Sequence, residues 1–255
     1  MKKAIEFINV SKKFDNTGYF AVNDVSCEIG QGEFITILGS SGCGKTTLLK
    51  MINRLYEPDT GTIRIFGEDI SSRDPVLLRR EIGYVIQQVG LFPHMTVGDN
   101  IATVPRLLKW PEEKVQARVK ELLEMVGLAF AEYGNRYPSQ LSGGQQQRAG
   151  LARALCADPQ IMLMDEPFGA IDAINRMNLQ EELLKIHGAS KKTFLFVTHD
   201  INEAFKLGNR VIIMNEGKIR QFDKPEVIAR NPADDFVKSL IDSTRKQEQF
   251  WEAFT

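Results

Sequence analysis

A glycine-rich segment that ends in lysine and threonine has the residue types and spacing of a phosphate-binding loop. It follows an apolar strand pattern at residues 34–38 and precedes a helical pattern that starts at Leu48. Glycines let backbone N–H groups converge on phosphate oxygens, and a helix N-terminus adds favourable partial charge. The residues expected to hold nucleotide phosphates are Gly39, Ser40, Ser41, Gly42, Cys43, Gly44, Lys45, Thr46 and Thr47.

Two side chains of this loop have expected roles in binding ATP. Lys45 reaches the terminal phosphates, and Thr46 offers its hydroxyl to Mg²⁺. A glycine-rich turn that merely links strand and helix is the alternative, and we reject it because Lys45, Thr46 and Thr47 are in register. Cys43 is interpreted as a small residue that fills a loop position, without chemistry of its own.

Adjacent carboxylates end a second apolar strand pattern at residues 161–164. We expect Asp165 to bind Mg²⁺ and Glu166 to act on the attacking water, because phosphoryl transfer depends on positioning and charge neutralisation. Gln87 follows the strand pattern at residues 82–85 and is a candidate neutral ligand to Mg²⁺ or water, with Gln88 as its competitor.

A histidine follows the strand pattern at residues 193–197. Taken alone, a histidine in this position is more often structural. Beside the motifs above, His199 is expected to contact the γ-phosphate.

A second segment has the character of an anion-binding helix end. Ser142 and Gln145 match a capping box, yet Gly143 and Gly144 weaken the first helical turn by up to about 1 kcal/mol each. Their presence indicates that a ligand approaches the backbone closely. One nucleotide does not need two such helix ends from one chain, whereas a head-to-tail dimer does. The expected segment is Leu141, Ser142, Gly143, Gly144 and Gln145.

Strand and helix patterns alternate along the chain, which predicts an α/β fold with a mostly parallel sheet. The first third is richer in strands, with one pattern at residues 62–66, and predicts an antiparallel subdomain. Turn residues at 215–217 predict a hairpin, and the apolar spacing at residues 112–126 predicts a helix.

Residues 91–155 predict a helical subdomain inserted between core segments 1–90 and 156–230. The ATP-binding domain is expected to span residues 1–240, followed by a helical tail at 241–255.

Composition narrows the classes of function. The 32 basic and 33 acidic side chains give no field that marks a nucleic-acid binder. No apolar run approaches the ~18 to 20 residues of a membrane span, and the N-terminus alternates like a strand rather than a secretory signal. Three scattered cysteines fit a reducing cytoplasm better than a disulfide framework.

Together these motifs and the segment at residues 169–172 resemble the ABC ATPase family, over nearly the whole chain. The resemblance implies a P-loop NTPase with a RecA-like core, and two copies that sandwich two ATP molecules. It implies that Gln87 is the mobile glutamine, His199 the switch histidine and Asp172 a residue of the dimer interface. It also implies that Phe14 stacks on adenine, although Tyr19 or Phe20 could be the stacking residue instead. If Phe14 does not bind adenine, it is expected to be a residue of the hydrophobic core.

Residues 82–88, 91–95 and 109–113 resemble the ATP-binding subunits of osmoprotectant importers. This implies cargo such as glycine betaine, carnitine or choline, two transmembrane permease subunits and, indirectly, an extracytoplasmic substrate-binding protein. It implies a peripheral position on the cytoplasmic face of the inner membrane. The permease would dock on Leu91, Phe92, Pro93, His94 and Met95, which otherwise pack the helical subdomain against the core.

Rival functions remain to be separated. A GTPase is disfavoured because no Asn-Lys-x-Asp sequence is present, and a small-molecule kinase leaves the helix after Ser142 unexplained. A soluble ABC ATPase, or an importer subunit for another small solute, is the alternative. Many osmoprotectant ATPases continue into paired CBS domains, and we expect none in this sequence. The aromatic tail with Phe250, Trp251 and Phe254 is expected to pack on the chain's own core.

Overall fold

The computed structural model describes residues 2–14, 18–87, 90–169 and 171–252, with side chains up to residue 243. The chain divides into two compact units. The first unit comprises Met1–Ser71 and Leu195–Thr255, and the second comprises Ser72–Phe194.

Strands and helices alternate as the sequence predicts. The strands are β1 (Lys3–Lys13), β2 (Phe20–Gly30), β3 (Phe34–Gly39), β4 (Thr60–Ile65), β5 (Glu68–Asp69), β6 (Ile82–Val85), β7 (Ile161–Asp165), β8 (Thr193–Thr198), β9 (Arg210–Asn215) and β10 (Lys218–Asp223). The helices are α1 (Lys45–Ile52), α2 (Pro75–Glu81), α3 (Val97–Leu107), α4 (Glu112–Met125), α5 (Phe130–Tyr133), α6 (Gly143–Cys156), α7 (Ala173–Ser190), α8 (Ile201–Leu207), α9 (Pro225–Arg230) and α10 (Asp235–Glu252).

The first unit contains the predicted antiparallel sheet, with strand order β2-β1-β4-β5. Glu6 of β1 pairs with Glu28 on one side and with Arg64 on the other. The sequence pattern extends β4 to Phe66, but the strand ends at Ile65 because Phe66 turns the chain with a φ of 51°. The antiparallel subdomain is therefore confirmed, with one strand end corrected.

The parallel part of the first unit carries the phosphate loop. All of β3 is buried, and it runs parallel to β9, with Ile37 opposite Ile212. β9 pairs antiparallel with β10 through a turn at Glu216 and Gly217, whose φ angles are 49° and 74°. Two positive φ angles are typical of a two-residue hairpin turn, which confirms the hairpin expected at this point.

The C-terminal helix packs on the strand that leads into the phosphate loop. Val237 and Ile241 of α10 share a core with Leu38 of β3 and Ile213 of β9. Helix α10 begins at Asp235 and continues to Glu252, and the division between an ATP-binding domain and a helical tail at residues 240 and 241 stays a prediction. The side chains of Phe250 and Trp251, and all of Phe254, lie outside the described part of the chain.

The second unit places a helical bundle against two parallel strands. β6 and β7 are parallel, with Val85 opposite Met164, so their carboxyl ends lie side by side. A side chain at Gly83 would lie 2.6 Å from the carbonyl oxygen of Ala154, so glycine allows α6 to lie close against β6. Among the described residues between 86 and 160 there is no strand, in agreement with the predicted helical subdomain. Its limits at residues 91 and 155 stay a prediction.

Across the described segments, no helix combines the length and the apolar character that a bilayer crossing requires.

Candidate functional site

The phosphate loop connects β3 to α1 and is pressed against neighbouring backbone. Gly44, the N-cap of α1, has a φ of 106°, and a Cβ there would lie 2.0 Å from the carbonyl oxygen of Ala21. At Gly39 a Cβ would lie 2.3 Å from the carbonyl oxygen of Met214. Only glycine fits either position, so β2 and β9 fix the path of the loop.

Lys45 lies inside the curve of the loop. Its side chain is buried, and Nζ donates to the carbonyl oxygens of Gly39 at 2.7 Å and Ser40 at 2.9 Å. The tip of the loop, Ser40 to Gly42, is exposed. A buried ammonium group behind an exposed tip of small residues fits a polyphosphate, because the cation needs only to exchange carbonyl partners for phosphate oxygens.

Cys43 is part of the packing of the loop. Its thiol is buried, and burial raises its pKa although Lys45 acts in the opposite direction. The carbonyl oxygen of Cys43 accepts a hydrogen bond of 3.1 Å from the N–H of Gly217, in the hairpin turn. A neutral buried thiol agrees with the expectation that Cys43 has no chemistry of its own.

His199 is exposed at the end of β8, and its neighbours on the chain are fixed. Thr198 donates from Oγ1 to Oε2 of Glu203 over 2.7 Å, and both side chains are buried. The N–H of Asp200 donates to Oγ1 of Thr198 at 3.0 Å, and Asp200 caps α8. This support cannot be predicted from the sequence, because a threonine five residues before a glutamate has no distinctive pattern.

Of the three candidate adenine-stacking residues, Phe14 is 40% exposed, so its structural reading as a core residue is wrong. Its ring meets that of Tyr56 edge-on, with centroids 4.9 Å apart. The Lys13 ammonium lies 4.1 Å from the centroid of the Phe20 ring, and Tyr19 is 52% exposed. The structure therefore keeps Phe14 as a candidate, while residues 15–17 lie outside the described chain.

In the second unit, the ends of β6 and β7 bring a glutamine and two carboxylates together. Asp165 is buried at the end of β7, and the next residue, Glu166, has a positive φ of 47°. Gln87 donates from Nε2 to Oε2 of Glu166 over 3.3 Å. The left-handed conformation of a glutamate is costly and is typical of functional sites. The competitor Gln88 lies outside the described residues.

The segment at residues 141–145 forms the predicted capped helix end. Ser142 accepts from the N–H of Gln145 at 3.3 Å, and the N–H of Ser142 donates to Oε1 of Gln145 at 2.9 Å. Gln145 also donates to the hydroxyl of Tyr133 over 3.3 Å, a partner that sequence spacing did not indicate. Ser142 and Gly143 are exposed, so this helix end is accessible to a ligand.

Asp172 caps α7 on the surface of the second unit. It accepts from the backbone N–H of Asn175 at 3.0 Å and from Nδ2 of Asn175 at 2.7 Å. These bonds, the side-chain bond first, hold the pKa of the Asp172 carboxyl below its usual range. The carboxylate is therefore ionised and fixed in direction at neutral pH. Its neighbour Ala170 is not among the described residues.

The candidate docking loop, residues 91–95, forms one side of a surface groove. Phe92 is 41% exposed, and its ring lies 5.9 Å from that of His94. The groove has a volume of about 420 Å³ and is lined by His94, Met95, Asp99, Thr103, Arg106 and Leu107. The contribution of α3 to this groove was not predicted, because only the loop carried a recognisable motif.

Residues 22–169 match the family described as ABC transporter. The match extends from β2, through the phosphate loop and the capped end of α6, to the residues after β7. The chain therefore belongs to the ABC transporter family, and the predicted fold class is confirmed.

Individual relatives agree with this assignment. The chain is 56% identical to the choline transport ATP-binding protein OpuBA of Bacillus subtilis (strain 168), over 93% of this chain and 62% of that protein. It is also 56% identical to the glycine betaine/carnitine/choline transport ATP-binding protein OpuCA of the same organism, over 92% of this chain and 62% of that protein. The chain thus spans less than two thirds of the length of these relatives.

A solved structure has the same fold. The dimeric post-hydrolysis state of the ATP-binding cassette MJ0796, bound to ADP and Pi, superposes with a TM-score of 0.80 at 35% identity. The superposition covers 87% of this chain and 98% of that one. The predicted resemblance to ATP-binding cassettes of the osmoprotectant type is confirmed.

Proposed function

We propose that this chain is the ATP-hydrolysing subunit of an importer for osmoprotectants such as glycine betaine, carnitine or choline. The observation that carries the proposal is the 56% identity, over more than nine tenths of the chain, to the choline transport ATP-binding protein OpuBA and the glycine betaine/carnitine/choline transport ATP-binding protein OpuCA. The phosphate loop, the capped end of α6 and the carboxylates after β7 all lie within the aligned family region.

ATP binds through the phosphate loop in this proposal. Lys45 leaves the carbonyl oxygens of Gly39 and Ser40 and donates to the terminal phosphates, while loop N–H groups and the α1 N-terminus receive the remaining oxygens. Phe14 stacks on adenine. The loop path that only glycines allow and the buried ammonium group of Lys45 support this role.

Mg²⁺ would be held by Thr46, Asp165 and Gln87, a set of oxygen ligands that suits this hard cation. When bound, Mg²⁺ neutralises charge on the transferred phosphoryl group. Each residue supplies a suitable oxygen, since Asp165 has a buried carboxylate and Thr46, a half-buried residue, has a hydroxyl.

Hydrolysis depends on the orientation of water by Glu166. Its carboxylate accepts a hydrogen bond from the attacking water and polarises it, and His199 contacts the γ-phosphate. Gln87 already donates to Glu166, so its amide fixes the direction of the carboxylate before water enters. Release of that bond frees an oxygen of Glu166 for the water.

A second copy of the chain completes the site. Leu141 to Gln145 of one copy face the phosphate loop of the other, with Asp172 at the interface. The accessible N-terminus of α6 offers backbone N–H groups to the γ-phosphate, as the phosphate loop does on the other side. The dimeric form of the MJ0796 cassette supports this arrangement.

The transport complex would contain two copies of this chain and two transmembrane permease subunits. The permeases dock on the groove beside residues 91–95, and an extracytoplasmic binding protein delivers the cargo. The chain then lies on the cytoplasmic face of the inner membrane.

Co-purification and reconstitution test this function. The native protein is expected to purify with a membrane-spanning partner and, in proteoliposomes, to drive ATP-dependent uptake of radiolabelled glycine betaine, carnitine or choline. Purification without a membrane partner would favour a soluble ABC ATPase. Uptake of none of the three amines by an otherwise active complex would indicate another small solute.

A further inference from the structure

Asn100, in the first turns of α3, is completely buried and directs its side chain at the backbone of the docking loop. Its amide donates from Nδ2 toward the carbonyl oxygens of Phe92 at 3.1 Å, Met95 at 3.2 Å and Thr96 at 2.9 Å. Its Oδ1 accepts from the N–H of Phe92 at 2.7 Å. One side chain thus holds the loop at three positions.

The chemistry of these bonds requires an amide. Two N–H groups serve three carbonyl oxygens, while the amide oxygen receives a backbone N–H, so both ends of the group are used. A carboxylate at position 100 would place negative charge beside three carbonyl oxygens and donate nothing. An aliphatic side chain would take this partner away from the N–H of Phe92 and the carbonyl oxygen of Met95.

Hydrogen bonds also hold the backbone on both sides of the docking loop. Thr96 caps α3, accepting from the N–H of Asp99 at 3.1 Å. The N–H of Val97 donates to the carbonyl oxygen of Arg136 at 2.8 Å. At the other end of the loop, Arg153 of α6 donates from Nη1 to the carbonyl oxygen of Gly90 at 2.8 Å. The loop therefore has fixed supports at both ends as well as in its middle.

Phe92 exposes its side chain to solvent while its backbone is held by hydrogen bonds. Phe92 is 41% exposed, although its N–H and its carbonyl oxygen both bind Asn100. A stiff backbone that presents an aromatic ring to solvent is typical of a preformed binding surface, which loses little conformational entropy on association.

We propose that Asn100 is a positioning residue that preforms residues 91–96 as a docking surface for a segment of the permease. It thereby governs the coupling of ATP hydrolysis to transport, and it takes no part in hydrolysis itself. This inference rests on the proposed function, because it presupposes a permease. The expected partner segment has an apolar face, because Met95 and Leu107 line the groove and the exposed ring of Phe92 lies on the loop that forms one side of it.

The test compares Asn100→Ala and Asn100→Ser with Gln221→Ala. The amide of Gln221 on β10 also holds backbone at both ends, because it donates to the carbonyl oxygen of Asn231 at 3.0 Å and accepts from the N–H of Ala233 at 2.9 Å. Gln221 belongs to the first unit and does not line the groove. Three quantities are measured for each variant: ATPase of the isolated subunit, affinity for the permease, and ATPase stimulated by permease and cargo in proteoliposomes.

The Asn100 variants are expected to keep the ATPase of the isolated subunit within about twofold. Their permease affinity and their stimulated ATPase should fall about tenfold, the size expected from the loss of one to two buried hydrogen bonds. Gln221→Ala should match the unchanged chain. Asn100→Ser retains one small donor and should lie between the other two, which keeps the test usable if the alanine variant folds poorly.

Two outcomes are distinguishable. If the unchanged chain binds no permease, the proposed function fails. If it binds permease and the Asn100 variants bind and respond equally well, the positioning role is overturned. Hydrogen exchange on the unchanged chain adds a measurement without a variant, since the amide of Phe92 should exchange slowly despite its exposed ring. Fast exchange at that amide would also overturn the inference.

Discussion

Gln87 and Glu166 lie at the ends of two adjacent parallel strands and share a hydrogen bond of 3.3 Å from Nε2 to Oε2. The bond joins Glu166, which is proposed to polarise water, to Gln87, which lies four residues before the docking loop in the sequence. Any movement of Gln87 therefore changes the environment of the Glu166 carboxylate. This relationship links the chemistry to the surface where a partner is proposed to bind.

Replacement of that carboxylate should stop turnover without preventing binding. Glu166→Gln keeps the size of the side chain but removes the group that accepts a proton from water. We expect ATPase activity to fall roughly 10² to 10⁴-fold. ATP binding should be unchanged, and light scattering should detect a stable dimer in ATP. Glu182→Gln, on the exposed side of α7, is the matched control. A Glu166→Gln protein that stays monomeric in ATP would contradict the shared site.

Removal of the loop ammonium should weaken nucleotide binding. Lys45→Ala deletes the buried cation that donates to the carbonyl oxygens of Gly39 and Ser40. Loss of a charged donor to phosphate corresponds to roughly 10- to 100-fold in affinity. Calorimetric titration with ATP measures it. The control is Lys114→Ala, which removes an ammonium group that lies 4.0 Å from the centroid of the Trp110 ring on the helical subdomain. Unchanged affinity in Lys45→Ala would refute the assigned contact.

The hydrogen bond behind His199 should contribute to both stability and activity. Thr198→Val removes the hydroxyl that donates to Glu203 and accepts from the N–H of Asp200. We expect a loss of about 1–3 kcal/mol in the free energy of unfolding, measured in urea, with a parallel fall in ATPase. Thr198→Ser retains the hydroxyl and should restore most of both. An unchanged unfolding midpoint in Thr198→Val would show that the bond is dispensable.

Low pH should destabilise the first turn of α3, because it protonates the Asp99 carboxylate. Hydrogen bonds from Arg106 first, and then from Thr96, hold the pKa of Asp99 below its ordinary value of 3.8. Because the pKa of Asp99 is lower in the folded chain than in the unfolded chain, its ion pair with Arg106 stabilises the fold fully when the pH is above 3.8. This stabilisation is lost as the pH falls through the folded-state pKa. Asp99→Asn should therefore melt at a lower temperature than the unchanged chain at pH 7.

The difference in melting temperature between Asp99→Asn and the unchanged chain should shrink below about pH 4, where the Asp99 carboxyl of the unfolded chain becomes protonated. Arg106→Gln should show the same trend, and the double variant should be less than additive. A melting difference that stays constant from pH 7 to pH 3 would contradict this account.

Local patterns predicted much of the fold. The hairpin at Glu216 and Gly217, the helix from Glu112 and the capped helix after Ser142 all follow from short-range turn, capping and periodicity rules. The phosphate loop was equally clear, because its residues are contiguous. Phe66 was misplaced at the end of a strand, since its positive φ depends on the turn that follows.

Contacts between distant parts of the sequence could not be predicted. The bond from Gln145 to Tyr133 and the approach of Gly44 to Ala21 depend on how elements pack. The same holds for Asn100, which has no motif of its own and gains its importance from the carbonyl oxygens that surround it. The roles of the individual site residues stay predictions, which the variants above can test.

The packing of α10 on Leu38 connects the last helix of the described chain to the strand that leads into the phosphate loop. Val237 and Ile241 share a core with the strand that leads into the phosphate loop, so the helix and the loop should unfold together. A ligand that binds only the folded loop stabilises every element of that cooperative unit. Digestion of α10 by a protease should accordingly slow as ATP concentration rises, although no residue of that helix has been assigned to the nucleotide.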